Sequence, residues 1–404
     1  MKYIVVLGDG MADYPQKILG GKTPLMAAKK PTLDKLCFNG ETGLCKTIPD
    51  GMKPGSDVAN LSVLGYDPRE CYTGRSPLEA ASIGIDLKDT SVTARANLVT
   101  LSDEAEYEDK TMVDYSAGEI STAEAKELID ALAKELNDER YTLYSGISYR
   151  HCLVIDNGAI AGDLTPPHDI TGKPIREFLP KSETGKKYLS LMKRSAEILK
   201  NHPVNSARVK SGKRPANSLW FWGEGTKPVL ENFEKKYSLK GAMISAVDLL
   251  KGIGKLAGMK VIDVKGATGN YDTNFIGKAK ACVDALKDGA DFVYLHMEAP
   301  DECGHHGDAA HKIYSIETIS ETVVKYIIEE LGKSKEAFSM LILPDHPTPV
   351  SVMTHTSDPV PYVLFRSDNS VTPSGRTYDE KQAAESGTFL ESGVSLMKRF
   401  LSRK

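Results

Sequence analysis

No stretch of this 404-residue chain approaches the ~20 consecutive apolar residues that a bilayer-spanning helix requires. Charge of one sign is also missing. The 51 Lys and Arg face 55 Asp and Glu, a formal net charge of −4, which offers no field for nucleic acid or an anionic membrane. Neither partner is expected, and any pull on a phosphorylated ligand must be local. Paired cysteine motifs are absent. The six cysteines, Cys37, Cys45, Cys71, Cys152, Cys282 and Cys303, include no CxxC and read as the reduced, buried thiols of a cytoplasmic protein. The opening MKYIVVLGDG has an apolar run too short for a secretory leader. There is no internal repeat, no low-complexity tract and no G-x4-G-K-[ST] phosphate loop.

What is present is an ordinary soluble composition, 41% apolar and 26% charged, with length enough for two or three domains. Residues 3–7, YIVVL, form a β-branched run ending in Gly8-Asp9-Gly10, a buried parallel strand opening onto a loop. Similar runs recur at 259–264, 291–297, 339–344 and 361–365, and helical spacing covers 275–287 and 314–331. Strands alternating with helices predict an α/β fold on a parallel sheet.

The middle of the chain differs. Residues 92–101 alternate like a half-exposed strand, and 146–155 read as another. Residues 121–136 form an amphipathic helix, capped by Ser121 or Thr122 with Glu124, and 182–201 a long helix capped near Ser182. This βαβ-like block lacks acidic residues at its loop ends. It predicts an inserted domain over 76–220 within a discontinuous core of 1–75 and 221–404.

Four segments place metal-type ligands just after a predicted strand or in the loop that follows. LGDG gives Asp9, APDECGHHGD gives Asp301 and His305, LPDHPTP gives Asp345 and His346, and THTSDPVP gives His355. In open α/β sheets, sites form outside the carboxyl ends of the strands, where these segments can converge. Three carboxylates and three imidazoles are enough for two ions. The mixed donor set suits Mn²⁺ or Zn²⁺ ahead of Mg²⁺, and paired ions are the usual device for phosphoryl transfer. A fifth segment, KPGSDVANLSVLGYDP, puts Ser56 behind the turn-permitting Gly55. Metal coordination would turn that weak hydroxyl into a nucleophile.

In their order, LGDGMAD, PGSDVANLSVLGYDP, PDECGHHGD, PDHPTP and THTSDPVP resemble the cofactor-independent phosphoglycerate mutases of the alkaline phosphatase superfamily. The similarity is to their shorter, archaeal-type branch, which also occurs in bacteria. GISYRHCLV, HDITGKPI, LKGAMISAVDLLKGIGKLAG and GATGNYDTN extend it nearly end to end. The resemblance implies an alkaline phosphatase-like parallel-sheet core with an inserted α/β domain of mutase type. It also implies two ions, one held by Asp301, His305 and His355 and the other by Asp9, Ser56, Asp345 and His346. Ser56 would take the phosphoryl group from phosphoglycerate and return it to the other hydroxyl, with no 2,3-bisphosphoglycerate required.

Substrate residues follow less directly. A carboxylate and a phosphate call for Arg or Lys. Arg150 leads, against a surface ion pair. Arg95 and Asn97 share one strand face, and His151 is either an acid–base group or a packed strand residue. Lys251 stands where longer mutases carry a lysine near the phosphate, and Asp57 either binds substrate hydroxyls or caps the following helix. Asn60 replaces a histidine of the longer mutases. His306 and His311 are second-row partners or solvent-exposed, and His296 carries no argument. Two other readings use the same residues. One is a homoserine kinase-type phosphotransferase, which the LWFWGEG segment at 219–225 resembles. The other is a metal-binding protein without catalysis, against which the intact Ser56 and six ligands stand.

Overall fold

The computed structural model describes residues 1–334 and 336–402. In chain order its strands are β1 (Lys2–Gly8), β2 (Glu41–Cys45), β3 (Val92–Leu101), β4 (Met112–Asp114), β5 (Tyr141–Tyr144), β6 (Arg150–Ile155) and β7 (Ser218–Thr226). They continue as β8 (Gly241–Ile244), β9 (Lys260–Ile262), β10 (Phe292–Met297), β11 (Phe338–Leu343), β12 (Val360–Arg366) and β13 (Phe389–Leu390). The chain divides into two compact units, Met1–Tyr72 with Val229–Lys404, and Thr73–Pro228.

In the first unit eight strands form one sheet in the order β13-β2-β12-β11-β1-β10-β8-β9. From β9 to β11 every pairing is parallel, so the carboxyl ends of five strands share one edge. The central runs are continuous and apolar because both faces are covered. Ile4, Val6, Leu295 and Ile342 are fully buried, packed with Ile316, Val323 and Val283 of the flanking helices. The predicted strand at 361–365 exists as β12, but it runs antiparallel to β11. The segment between them, 344–359, holds no helix, and without a crossover element the chain returns antiparallel.

In the second unit β3, β4, β5, β6 and β7 make a five-stranded sheet whose pairings are all antiparallel. The βαβ-like expectation is corrected here. β5 and β6 are joined by the short turn 145–149, a connection too brief for parallel pairing. β3 is buried along all ten residues, not half exposed. It is flanked by β6 and β7, packs Ala94, Ala96 and Leu98 with Leu128 and Met192, and hides its polar face beneath Glu79 and Trp222. The expected boundary at 220 cuts through β7, which pairs with β3 up to Thr226. Gly74 belongs with this unit too: at φ +135° a Cβ there would sit 2.9 Å from the Gly225 Cα.

The helix Thr122–Leu136 opens with a full capping box of Ser121 and Glu124. All six cysteines are free and buried. No helix among the described residues is long and apolar enough to cross a membrane.

Leu295 lies in a central strand at 0% exposure. Leu295→Ala is expected to cost about 2–5 kcal/mol of stability, read as a lower urea midpoint of the first unit. An unchanged midpoint would contradict its place in the core.

Candidate metal centre and active site

The parallel edge gathers side chains from four parts of the chain. Asp9 follows β1 directly. The helix Ala299–His305 after β10 supplies Asp301 and His305. The loop after β11 supplies Asp345, His346 and Thr348, and its later part His355. Ser56 opens the helix Ser56–Val63.

His346 stands in the middle. Its Nε2 is 3.4 Å from Asp345 Oδ2, 3.7 Å from Asp9 Oδ1 and 3.2 Å from Ser56 Oγ. On the other side, His305 Nε2 and His355 Nε2 are 2.9 Å apart, at 3.3 Å and 3.4 Å from the two oxygens of Asp301. Two overlapping groups have donor atoms within 4.8 Å of one another, Asp9 with Asp345 and His346, and Asp301 with His346 and His355. The backbone makes room for this approach at Gly10, whose φ is +60°; a Cβ there would lie 2.7 Å from the Asp301 Cα.

A ring of residues fixes these groups, and several carry no sequence signal. Asn60 donates to Asp345 Oδ2 at 2.9 Å and to the Ser56 carbonyl at 2.7 Å, and accepts from the Tyr294 hydroxyl. It ties the Ser56 turn to the Asp345 loop. His296 projects from β10 to Asp9 Oδ2 at 2.9 Å. Behind it, Glu298 contacts His296 Nδ1 and accepts from the buried Lys278. Lys312, fully buried, donates to Asp13 and to the carbonyls of Ala12 and Thr348, which clamps the Asp9 loop to the Asp345 loop. Thr348 Oγ1 donates to Asp301 and lies 3.2 Å from His346 Nδ1. With its proton committed to Asp301, that hydroxyl accepts from His346 Nδ1–H, which leaves Nε2 a lone pair facing Ser56 and Asp9.

Electrostatics point to an absent positive charge. Burial, then repulsion from Asp345 and Asp301, pushes the Asp9 carboxyl well above the usual range, against the pull of His296. Its Oδ1 is buried without a hydrogen-bond partner among the described residues, an uncompensated acceptor that a cation satisfies. Burial also works on Asp301, but hydrogen bonds with His305 and His355 hold it low. His296 overcomes its burial through Glu298 and Asp9 and is pushed up to about 10, so it stays a cationic hydrogen-bond donor. Burial keeps His346 below its ordinary value and therefore neutral, as a metal ligand must be. Clustered carboxylates, neutral imidazole and the orphaned Asp9 oxygen fit divalent cations.

The remaining candidates divide. Asp57 is engaged within the protein, accepting from Val58 N and from the Tyr72 hydroxyl. Lys251 pairs with Asp263 at 2.6 Å beyond β9 and is not joined to the metal-type residues. His306 is exposed beside Glu302, and His311 pairs with Asp308 and stacks on Tyr271. In the second unit Arg95 and Asn97 do share a face. Arg95 lies 4.2 Å over the Trp222 ring, whose Nε1 donates to Asn97 Oδ1. Glu79 holds both Arg95 and Arg75 at 2.9 Å. The resulting field includes Arg150 and, against burial, keeps Glu79 below its ordinary value. Arg150 is exposed over the Tyr149 ring. His151 is buried, accepts from Gly146 N, and is pushed down to about 3 by burial and Arg150, so it is neutral.

Comparison with known proteins gives one consistent picture. The family model for 2,3-bisphosphoglycerate-independent phosphoglycerate mutase matches residues 38–205. The chain is 49% identical over 403 residues to a protein of Geobacter sulfurreducens named as a probable mutase of this kind, each covered in full. It is 50% identical over 384 residues to the Methanosarcina barkeri mutase, with 95% of each chain covered. A solved cofactor-independent phosphoglycerate mutase from Thermoplasma acidophilum superposes with a TM-score of 0.65 at 28% identity, over 99% of both chains. A solved Pyrococcus horikoshii protein superposes with a TM-score of 0.82 at 31% identity, over 100% of this chain and 98% of that one.

His296 touches Asp9 and nothing solvent-exposed. His296→Ala is expected to weaken Mn²⁺ binding by roughly 10–100-fold in a titration of the folded protein. Unchanged affinity would remove its orienting role.

Proposed function

This chain belongs to the 2,3-bisphosphoglycerate-independent phosphoglycerate mutases, and on that premise we propose how its own residues carry the interconversion of 3-phosphoglycerate and 2-phosphoglycerate. Ser56 is the nucleophile. Its oxygen forms a bond to phosphorus as the bond from phosphorus to the substrate C3 oxygen breaks, giving phosphoserine and glycerate. The glycerate then offers its C2 hydroxyl, which takes the phosphoryl group back and frees Ser56. Atoms balance with no diphosphorylated cofactor. The observation that carries this reading is the 3.2 Å approach of Ser56 Oγ to His346 Nε2 beside the unpaired Asp9 oxygen.

Asp9, Ser56, Asp345 and His346 would hold one divalent ion, and Asp301, His305 and His355 the other. Bound there, such ions lower the pKa of the serine hydroxyl and neutralise charge on the phosphoryl oxygens. The protein's part is to hold the donors still. Asn60 keeps the Ser56 turn against Asp345, and Thr348 keeps His346 in the tautomer that leaves Nε2 open.

Thr73–Pro228 is proposed as the substrate-binding unit. Arg75 and Arg95 both pair with Glu79, whose carboxyl also feels the charge of Arg150, and guanidinium groups suit the carboxylate and phosphate of the substrate. Asn97 adds an amide on the same face, while neutral His151 serves packing. Asp57 and Lys251, already paired within the protein, are assigned positioning rather than substrate contact. Six free buried thiols suit a reducing cytoplasm.

Ser56→Ala is expected to lower kcat on the order of 10³-fold or more, with circular dichroism and metal content unchanged. Retained turnover would rule out the phosphoserine route. The Mn²⁺-loaded protein assayed in parallel is expected to convert 3-phosphoglycerate and to leave homoserine unphosphorylated in the presence of ATP. The reverse result would support the kinase reading.

A further inference from the structure

The amino-end edge of the first unit's sheet carries a second polar cavity, of about 450 Å³. It is walled by the start of β2, the segment after β12, the turn before β13 and the end of the helix Gly393–Leu401. Three guanidinium groups line it, Arg366, Arg376 and Arg399, against one lining carboxylate, Glu41.

The pairing inside is uneven. Arg399 is taken up by Glu41 in a two-pronged contact at 2.6 Å and 2.6 Å. Arg376 leans on Glu385, whose carboxylate lies 3.5 Å away. Arg366 has no carboxylate within ion-pair distance among the described residues, although it is only 5% exposed. Its guanidinium donates to the carbonyls of Arg399, Phe400 and Ser402 and, at 3.5 Å, to the Ser370 hydroxyl, and its Nε has no hydrogen-bond partner. Helix-end carbonyls account for part of that charge. A buried guanidinium with no carboxylate in ion-pair distance among the described residues is nonetheless an unstable element, and the hydroxyls of Thr372 and Thr388 line the same space.

We propose that this cavity is a binding site for a small soluble phosphate or phosphomonoester dianion, separate from the metal centre. Guanidinium groups and hydroxyls are the donors such an anion takes, and the three lining guanidinium groups outnumber the one lining carboxylate. Separation follows from the register. Arg366 pairs with Ser339 at the start of β11, whereas Asp345 follows the far end of that strand. Six residues at about 3.3 Å each set the two places roughly 20 Å apart, so one ligand cannot occupy both.

Equilibrium dialysis of the metal-loaded, full-length protein against radiolabelled inorganic phosphate tests this directly. The wild-type chain is expected to bind one equivalent more than Arg376→Glu, with mutase turnover of the variant within about twofold of wild type because no proposed active-site residue is touched. Thr372→Glu, at an exposed position outside every ion pair described, provides a second variant that puts a like charge in the cavity without disturbing Arg376. Loss of one equivalent in both variants supports the site. Equal phosphate stoichiometry in wild type and the folded variants overturns it, as does finding the cavity neutralised by the chain's own carboxylates with no phosphate bound.

Discussion

Three carboxylates brought together in a nearly dry place are the constraint on which this molecule depends. Two like charges 4 Å apart at an effective dielectric of 20 repel by about 4 kcal/mol. Burial first, and then repulsion from the neighbouring carboxylates, pushes the Asp9 carboxyl well above the usual range. His305 and His355 answer it for Asp301. Asp9 keeps one oxygen with no hydrogen-bond partner among the described residues. The centre suits completion by cations, and buried contacts between the loops and helices that follow the strands hold its geometry.

That readiness has its own supports, most of them buried and charged. Lys312 joins Asp13 and two loop carbonyls, and Lys278 with Glu298 backs His296. Buried ion pairs contribute little net stability, because desolvation opposes their attraction. Their evident effect here is positional. Lys312 holds together the loops that carry Asp9 and Asp345, and the Lys278–Glu298 pair holds His296 against Asp9.

The convergence of the metal-type residues was legible because such residues close behind apolar strands form a local pattern that the fold preserves. Asp9, Asp301, His305, Asp345, His346 and His355 all meet at one edge, with Ser56 among them. The supporting ring was not legible. His296 alternates along an apolar strand like any buried residue, and only the pairing of β10 with β1 turns it toward Asp9. Asn60 and Thr348 act through partners far away in the chain, so no spacing reveals them. The inserted unit was misread for a related reason. The alternation of β3 suggested one wet face, but its polar residues are buried against Glu79 and Trp222 and one another. Polar identity was mistaken for exposure.

Anomalous scattering at the manganese edge, from crystals of the full-length protein loaded with Mn²⁺, is the measurement closest to the central claim. The account predicts two peaks about 3.5–4 Å apart, one bounded by Asp9, Asp345 and His346 with the Ser56 hydroxyl in its coordination sphere, the other by Asp301, His305 and His355. A single peak, or two peaks with Ser56 outside the reach of either, would contradict it.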